Sequence, residues 1–110
     1  MASLNVVTIG GNVTKAPRLQ DTSGGKVAHF TVAINWKNPK TGQETVTFMP
    51  VTAWGKWAEA AGEQLDKGSP VVVHGRRQVS EFTKRDGTKS RSTEVVAQAL
   101  TAAAVWAAGT

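Results

Sequence analysis

Apolar and polar residues alternate clearly with a period of two over residues 27–36, the spacing of a strand half buried in a sheet, β-branched runs mark other strands, and a helical period appears only once. Asn5-Val6-Val7-Thr8-Ile9 is β-branched and stops at Gly10-Gly11, which predicts a first strand with a glycine bend or bulge before Asn12-Val13. The residues that follow, with Ala16-Pro17 and Ser23-Gly24-Gly25, read as a loop. Over residues 27–36, Phe30, Val32 and Ile34 fall on one face and His29, Thr31, Ala33 and Asn35 on the other, which predicts a second strand. Lys37-Asn38-Pro39-Lys40-Thr41-Gly42 combines turn chemistry with two cations, so a protruding basic hairpin loop leads to a third strand over residues 44–54. That strand is apolar on both faces, with Thr47, Met49, Val51 and Ala53 on one and Val46, Phe48, Pro50, Thr52 and Trp54 on the other. Either it is central and covered on both sides, or one face meets a ligand or another subunit.

After Gly55 the period changes. Trp57, Ala60, Ala61 and Leu65 form one stripe of a helix over residues 56–65, which Gly68 closes and which places Trp57, like Phe30, in the core. Glu59, Glu63 and Asp66 read as its solvated face, with Lys67 suited to the C-terminal end of its dipole. Pro70-Val71-Val72-Val73-His74-Gly75 predicts a fourth strand, which residues 79–82 extend into a hairpin turning at Arg85-Asp86-Gly87, and residues 92–99 predict the last strand. The predicted class is therefore all-β with one short helix. Three strands, a helix and two strands fit the five-stranded Greek-key barrel called the OB-fold, a platform for oligonucleotides and oligosaccharides. Residues 1–100 make the domain, and residues 101–110, small and uncharged, an Ala-rich extension in which Trp106 has no assigned place.

Composition narrows the function. The 110 residues hold no cysteine and two histidines, which excludes a disulfide framework, a thiol nucleophile, a thiolate zinc site and a His-rich metal site. A chain of this length buries roughly 65% of its unfolded surface, enough for one core without staples. It has neither a long apolar span nor a signal-peptide pattern, so it reads as soluble and unexported, a reducing intracellular setting suits it, and the sequon Asn12-Val13-Thr14 is chance. Ser23-Gly24-Gly25-Lys26-Val27 lacks both the first glycine and the Ser or Thr of a phosphate loop. His29 and His74 have no acid at motif spacing and read as structural or surface residues, and the eight acids assemble no carboxylate cluster. No catalytic residue, metal ligand or cofactor is expected.

The net charge of +5 is unevenly placed. Residues 15–40 carry five cations against one acid and residues 76–91 six against two, whereas 41–75 is acidic and 92–110 holds only Glu94. Two basic stretches that converge would make a polyanion-binding face. The aromatics stand beside them: Trp36 before the basic loop, Phe48 and Trp54 on the even face of the third strand, Phe82 leading into Thr83-Lys84-Arg85-Asp86-Gly87. Cations neutralise phosphates and flat rings stack on unpaired bases, the combination that single-stranded nucleic acid needs and a duplex gains little from. Periodicity alone places Phe48 and Trp54 in the core instead.

Six pieces in order carry a resemblance over residues 4–100. They are Asn5-Val6-Val7-Thr8-Ile9-Gly10-Gly11-Asn12-Val13, Val27-Ala28-His29-Phe30-Thr31-Val32-Ala33, Trp36 to Gln43 with its Thr41-Gly42, Trp54-Gly55-Lys56-Trp57-Ala58-Glu59, Lys67-Gly68-Ser69-Pro70-Val71-Val72-Val73-His74-Gly75 and Thr93-Glu94-Val95-Val96. Together they resemble the bacterial and phage single-stranded DNA-binding proteins. The resemblance implies an OB-fold that assembles as a homotetramer, or alternatively a dimer. It would bind single-stranded DNA without strong sequence preference and without catalysis, in the cytoplasm on the nucleoid, or in a host's cytoplasm if phage-encoded. It assigns stacking to Trp36, Phe48 and Phe82 and an aromatic contact to Trp54. Lys15, Arg18, Lys37, Lys40, Lys56, Arg76, Arg77, Lys84, Arg85, Lys89 and Arg91 complete the expected binding set, and no membrane partner is expected. Met49 and Pro50 stand where many members have polar or basic residues. The family's acidic, hydrophobic C-terminal tip has no counterpart in residues 101–110, so recruitment of replication or repair enzymes through such a tip is not expected. Two other readings share the pattern: a primosome-type accessory protein, and an OB-like protein-interaction module with its aromatics buried between subunits.

Overall fold

The structure is a computed structural model and describes residues 3–102. The chain runs β1 (Val7–Val13), β2 (Arg18–Thr22), β3 (Gly25–Lys37), β4 (Glu44–Trp54), α1 (Lys56–Gln64), β5 (Pro70–Thr83) and β6 (Lys89–Ala102). The sheet order is β1-β5-β6-β4-β3-β2, and an additional β1–β3 pairing, Asn12 with Ala33 and Val13 with Val32, closes five of these strands into a ring. The ring contains one parallel contact, Val51 with Val95 and Thr52 with Val96, between β4 and β6. This is the expected five-stranded barrel, with β2 added as an edge.

The region before β3 departs from the expected loop. Arg18–Thr22 forms a hairpin with β3, Arg18 opposite His29 and Thr22 opposite Gly25. All five residues of β2 are exposed, so the strand has no buried face to write an alternation into the sequence. The Ser23-Gly24-Gly25 segment is its turn, tied by the Thr22 hydroxyl, which donates to Gly25 O at 2.7 Å and accepts from Gly24 N at 3.2 Å. Instead of stopping at Gly10-Gly11, β1 continues through them and changes partner from β5 to β3 at Asn12. A Cβ on Gly11 would overlap the Ala33 carbonyl, so this crossing of backbones requires glycine.

The barrel interior is small and branched: Val13, Val32, Val51, Val71, Val73 and Val95 are fully buried, with Phe30 and Leu100 among them. Helix α1 caps the interior with Ala58 and Ala61. Trp57 is only partly buried at the margin of the core, where the Lys56 ammonium lies 5.2 Å from its ring centroid. Small residues bring the helix close to the barrel, and the indole is displaced outward. The helix ends at Gln64, before Gly68, because Leu65 is extended and fills the core while its N–H still donates to Ala61 O at 3.0 Å. Strands β5 and β6 pair over nearly their whole length, with a bulge at His74/Gly75. There the Asn5 side chain pairs with the Arg77 backbone in both directions, Nδ2 donating to Arg77 O at 2.7 Å and Oδ1 accepting from Arg77 N at 3.0 Å. β6 extends the expected last strand at both ends, and the segment beyond Ala102, Trp106 included, lies outside the described residues. Among the described residues no helix is long and apolar enough to cross a membrane.

Candidate nucleic-acid interface

Two hairpin arms extend the barrel. In the first, residues 35–37 of β3 and 44–48 of β4 are exposed, and in the second, residues 79–83 of β5 and 89 of β6. Both arms turn tightly. Asn38 N donates to Gln43 O and Gly42 N to Asn38 O, each at 2.8 Å, in the first, and Lys84 N donates to Thr88 O at 2.8 Å in the second. Asp86 fixes the second turn by accepting from the Thr88 hydroxyl at 2.6 Å and from Thr88 N at 3.0 Å. Those two bonds hold its carboxyl below the ordinary carboxylate range, so the acid stays ionised among Lys84, Arg85 and Lys89.

The apolar doubleness of β4 is resolved by alternation in the barrel and by exposure on the arm. Met49, Val51 and Ala53 turn to the core and Thr52 is buried on the outer face, while Val46 and Phe48 on the arm are exposed. Trp36, Phe48, Trp54 and Phe82 are 57%, 62%, 44% and 49% exposed. Opposite them stand Thr45, Ala33, Val27 and Ser90, none large enough to cover a ring. The placement of Phe48 and Trp54 in the core, which periodicity alone suggests, therefore gives way to a surface position.

Alternation and register also separate the aromatics. Phe48 and Trp54 share the outer sheet face with Thr52, which bonds Glu94 across the β4–β6 contact; Phe82 and Arg76 are in phase with Glu94. Trp36 is in phase with Val32 and Ile34 and stands on the opposite face of its arm. Lys37 and Lys40 sit at one arm tip and Lys84, Arg85 and Lys89 at the other. Arg91 lies directly opposite Glu81 with its Nε 3.4 Å from the carboxylate, an exposed pair of small energetic value. Arg76 Nη1 donates to Gln78 Oε1 at 2.9 Å, and Arg77 points to the other face. Met49 packs against the core and Pro50 is exposed.

On the barrel wall formed by β3, β4 and β6 lies a cavity of about 440 Å³ that joins two of the expected cations to three residues that sequence reasoning did not select. Lys15 and Arg18 line it together with His29, Thr52, Glu94 and Pro50. Thr52 is 5% exposed, and its hydroxyl donates to Glu94 Oε2 at 2.7 Å. The same oxygen lies 3.3 Å from His29 Nδ1, whose N–H it is free to accept. One signal was available in the sequence: Glu94 is the lone charge after Arg91. Among the described residues no group of three metal-ligating side chains occurs.

The family model described as the single-strand binding protein family matches residues 4–103. Single-stranded DNA-binding protein 3 of Clostridium acetobutylicum is 38% identical over 97 residues, covering 86% of this chain and 67% of that protein. Single-stranded DNA-binding protein 1 of the same organism is 37% identical over 98 residues, covering 86% of this chain and 89% of that protein. Single-stranded DNA-binding protein 2 of Chlorobaculum tepidum is 34% identical over 105 residues, covering 91% and 71%.

Proposed function

Because the chain belongs to the single-strand binding protein family, we propose that it binds single-stranded DNA without strong sequence preference and without catalysis, protecting the strand in replication, recombination or repair. The observation that carries this reading is the set of half-exposed rings, Trp36, Phe48 and Phe82 on arms that end in cations and Trp54 at the barrel end of β4. Every base has a π-face, so stacking on Phe48, Trp54, Phe82 and Trp36 holds any sequence, at about 1–3 kcal/mol per base. The cations at the arm tips, with Lys15, Arg18, Lys56 and Arg76, neutralise phosphates. The protein works in the cytoplasm, on the nucleoid or in a phage's host.

The test is a titration with single-stranded and duplex DNA at two salt concentrations. The single strand is expected to bind more tightly, to quench tryptophan emission, and to lose affinity with salt at a log–log slope of about −0.7 per neutralised phosphate. Replacing Lys84, Arg85 and Lys89 with glutamine should flatten the slope by about 2, the contribution of those cations. Arg91, held opposite Glu81, should add less. An unchanged slope removes this arm from the binding path, and unquenched emission favours a protein-interaction module.

The same reading includes assembly. Leu4, Val6, Leu19, Val46 and Val79 are large apolar residues left exposed on the single chain, and a domain this small gains from covering them. Sedimentation equilibrium is expected to return the mass of a homotetramer. A stable dimer would favour the primosome-type alternative, and a monomer at micromolar concentration would contradict assembly altogether.

A further inference from the structure

A carboxylate is out of place on a face meant for phosphates, and Glu94 lies on that face. It lines the cavity together with Arg18 and Pro50, no cation lies within 4 Å of it among the described residues, and its one hydrogen bond is from Thr52 to Oε2. The Thr52 bond fixes the carboxylate's position, and Oε1 of this cavity-lining residue keeps unspent acceptor capacity. Such a group repels a phosphate and rewards N–H donors. The cavity volume of about 440 Å³ falls in the range of small-molecule sites. Lys15 and Arg18 at the same cavity are suited to hold the flanking phosphate, so a base entering there is brought against Glu94.

We infer that the Lys15–Arg18–Thr52–Glu94 cavity is a nucleobase subsite that selects guanine, a conclusion that rests on the single-strand-binding reading and adds a local preference to it. The selection follows from the edges of the bases. A carboxylate presents only acceptors, and guanine alone offers two adjacent donors, N1–H and N2–H₂, to its paired oxygens. Thymine sets two carbonyl oxygens beside its single N3–H and meets repulsion. Cytosine and adenine each pair one amino donor with a ring acceptor and gain half as much. The Thr52 hydroxyl is a positioning group, as is His29 Nδ1 behind it. One such subsite among several stacking positions biases where a strand sits without making the protein sequence-specific.

The experiment compares the full chain binding a short thymidine oligonucleotide with the same oligonucleotide carrying one central guanine, cytosine or adenine. Guanine is expected to raise affinity at least about fivefold over thymine, the low end for a bidentate base contact. Glu94→Gln keeps an acceptor for Thr52 and so keeps the fold, as circular dichroism should verify. Its amide offers one donor and one acceptor, so the guanine advantage should vanish while thymidine binding is held or improved. Arg18→Gln should weaken all four oligonucleotides by a common factor and leave the guanine ratio unchanged. Equal binding of guanine and thymine oligonucleotides by the unaltered protein, or a guanine advantage that survives Glu94→Gln or is abolished by Arg18→Gln, overturns the assignment. Failure to bind any of the four would instead sink the single-strand-binding reading on which it rests.

Discussion

Alanine in place of Phe48, Trp54 or Phe82 is expected to weaken oligonucleotide binding by about 1–3 kcal/mol per ring, roughly five- to 150-fold, with the fold intact. The two halves of that expectation have one cause. Each ring is 44–62% exposed, so truncation forfeits little of the burial that stabilises the barrel and most of the flat area a base stacks on. Titration by fluorescence, with thermal unfolding recorded on the same variants, separates the effects. Unfolding of Trp54→Ala or Phe48→Ala, with any remaining folded fraction at full affinity, would return these residues to the core and remove them from the interface. Trp36 behaves differently, because it stands on the opposite face of the β3–β4 arm. A strand has to pass around the arm to reach it after Phe48, so Trp36→Ala should penalise only oligonucleotides long enough to make that passage. A uniform penalty at every length would show that the arm twists both rings to one side.

Gly75→Ala should be the most damaging single methyl in the barrel, at about 3 kcal/mol, the upper end for overpacking, with a melting temperature lower by roughly 12–24 °C. A Cβ at Gly75 would overlap the Val96 carbonyl and crowd Ala97 Cα, and a Cβ at Gly11 would overlap the Ala33 carbonyl. Backbone cannot step aside by changing rotamer. Both glycines mark strand junctions, Gly75 at the β5–β6 bulge and Gly11 beside the point where β1 changes partner. Gly24→Ala is the control, since its nearest neighbours would lie at an ordinary 3.8 Å from the new methyl. Thermal unfolding of the three variants decides the matter. A stable Gly75→Ala protein would show that the bulge can shift register at little expense.

The pattern of apolar positions was sufficient for the elements whose two environments differ. Phe30, Val32 and Ile34 alternate with wetter residues because β3 has one face in the barrel, and the helix, the valine run of β5 and the glycine-marked turns announce themselves for equally local reasons. The exposed aromatics were legible too, through the cations and turns beside them. What failed was anything set by a neighbour distant in sequence. Arg18–Thr22 carries no alternation because an edge strand exposed on both sides has no inside, and only pairing with β3 makes it a strand. Trp57 has the helical spacing of a core residue, yet Ala58 and Ala61 occupy the contact because the small inner barrel favours a close helix over a large ring. The apolar faces of β4 divide by parity, with Met49, Val51 and Ala53 toward the core and Val46, Phe48, Pro50 and Trp54 toward solvent, but only the closed barrel decides which face is which. His29, Thr52 and Glu94 show the limit most plainly. Their separations of 23 and 42 residues give no motif: His29 meets Thr52 through the antiparallel β3–β4 register, and Glu94 joins them only because β4 and β6 pair in parallel. Local spacing thus determined most of the strands, and neighbouring cations and turns the exposed rings, whereas the closure of the barrel decided which polar side chains share a cavity, because contact across a closed sheet depends on register between strands rather than on order along the chain.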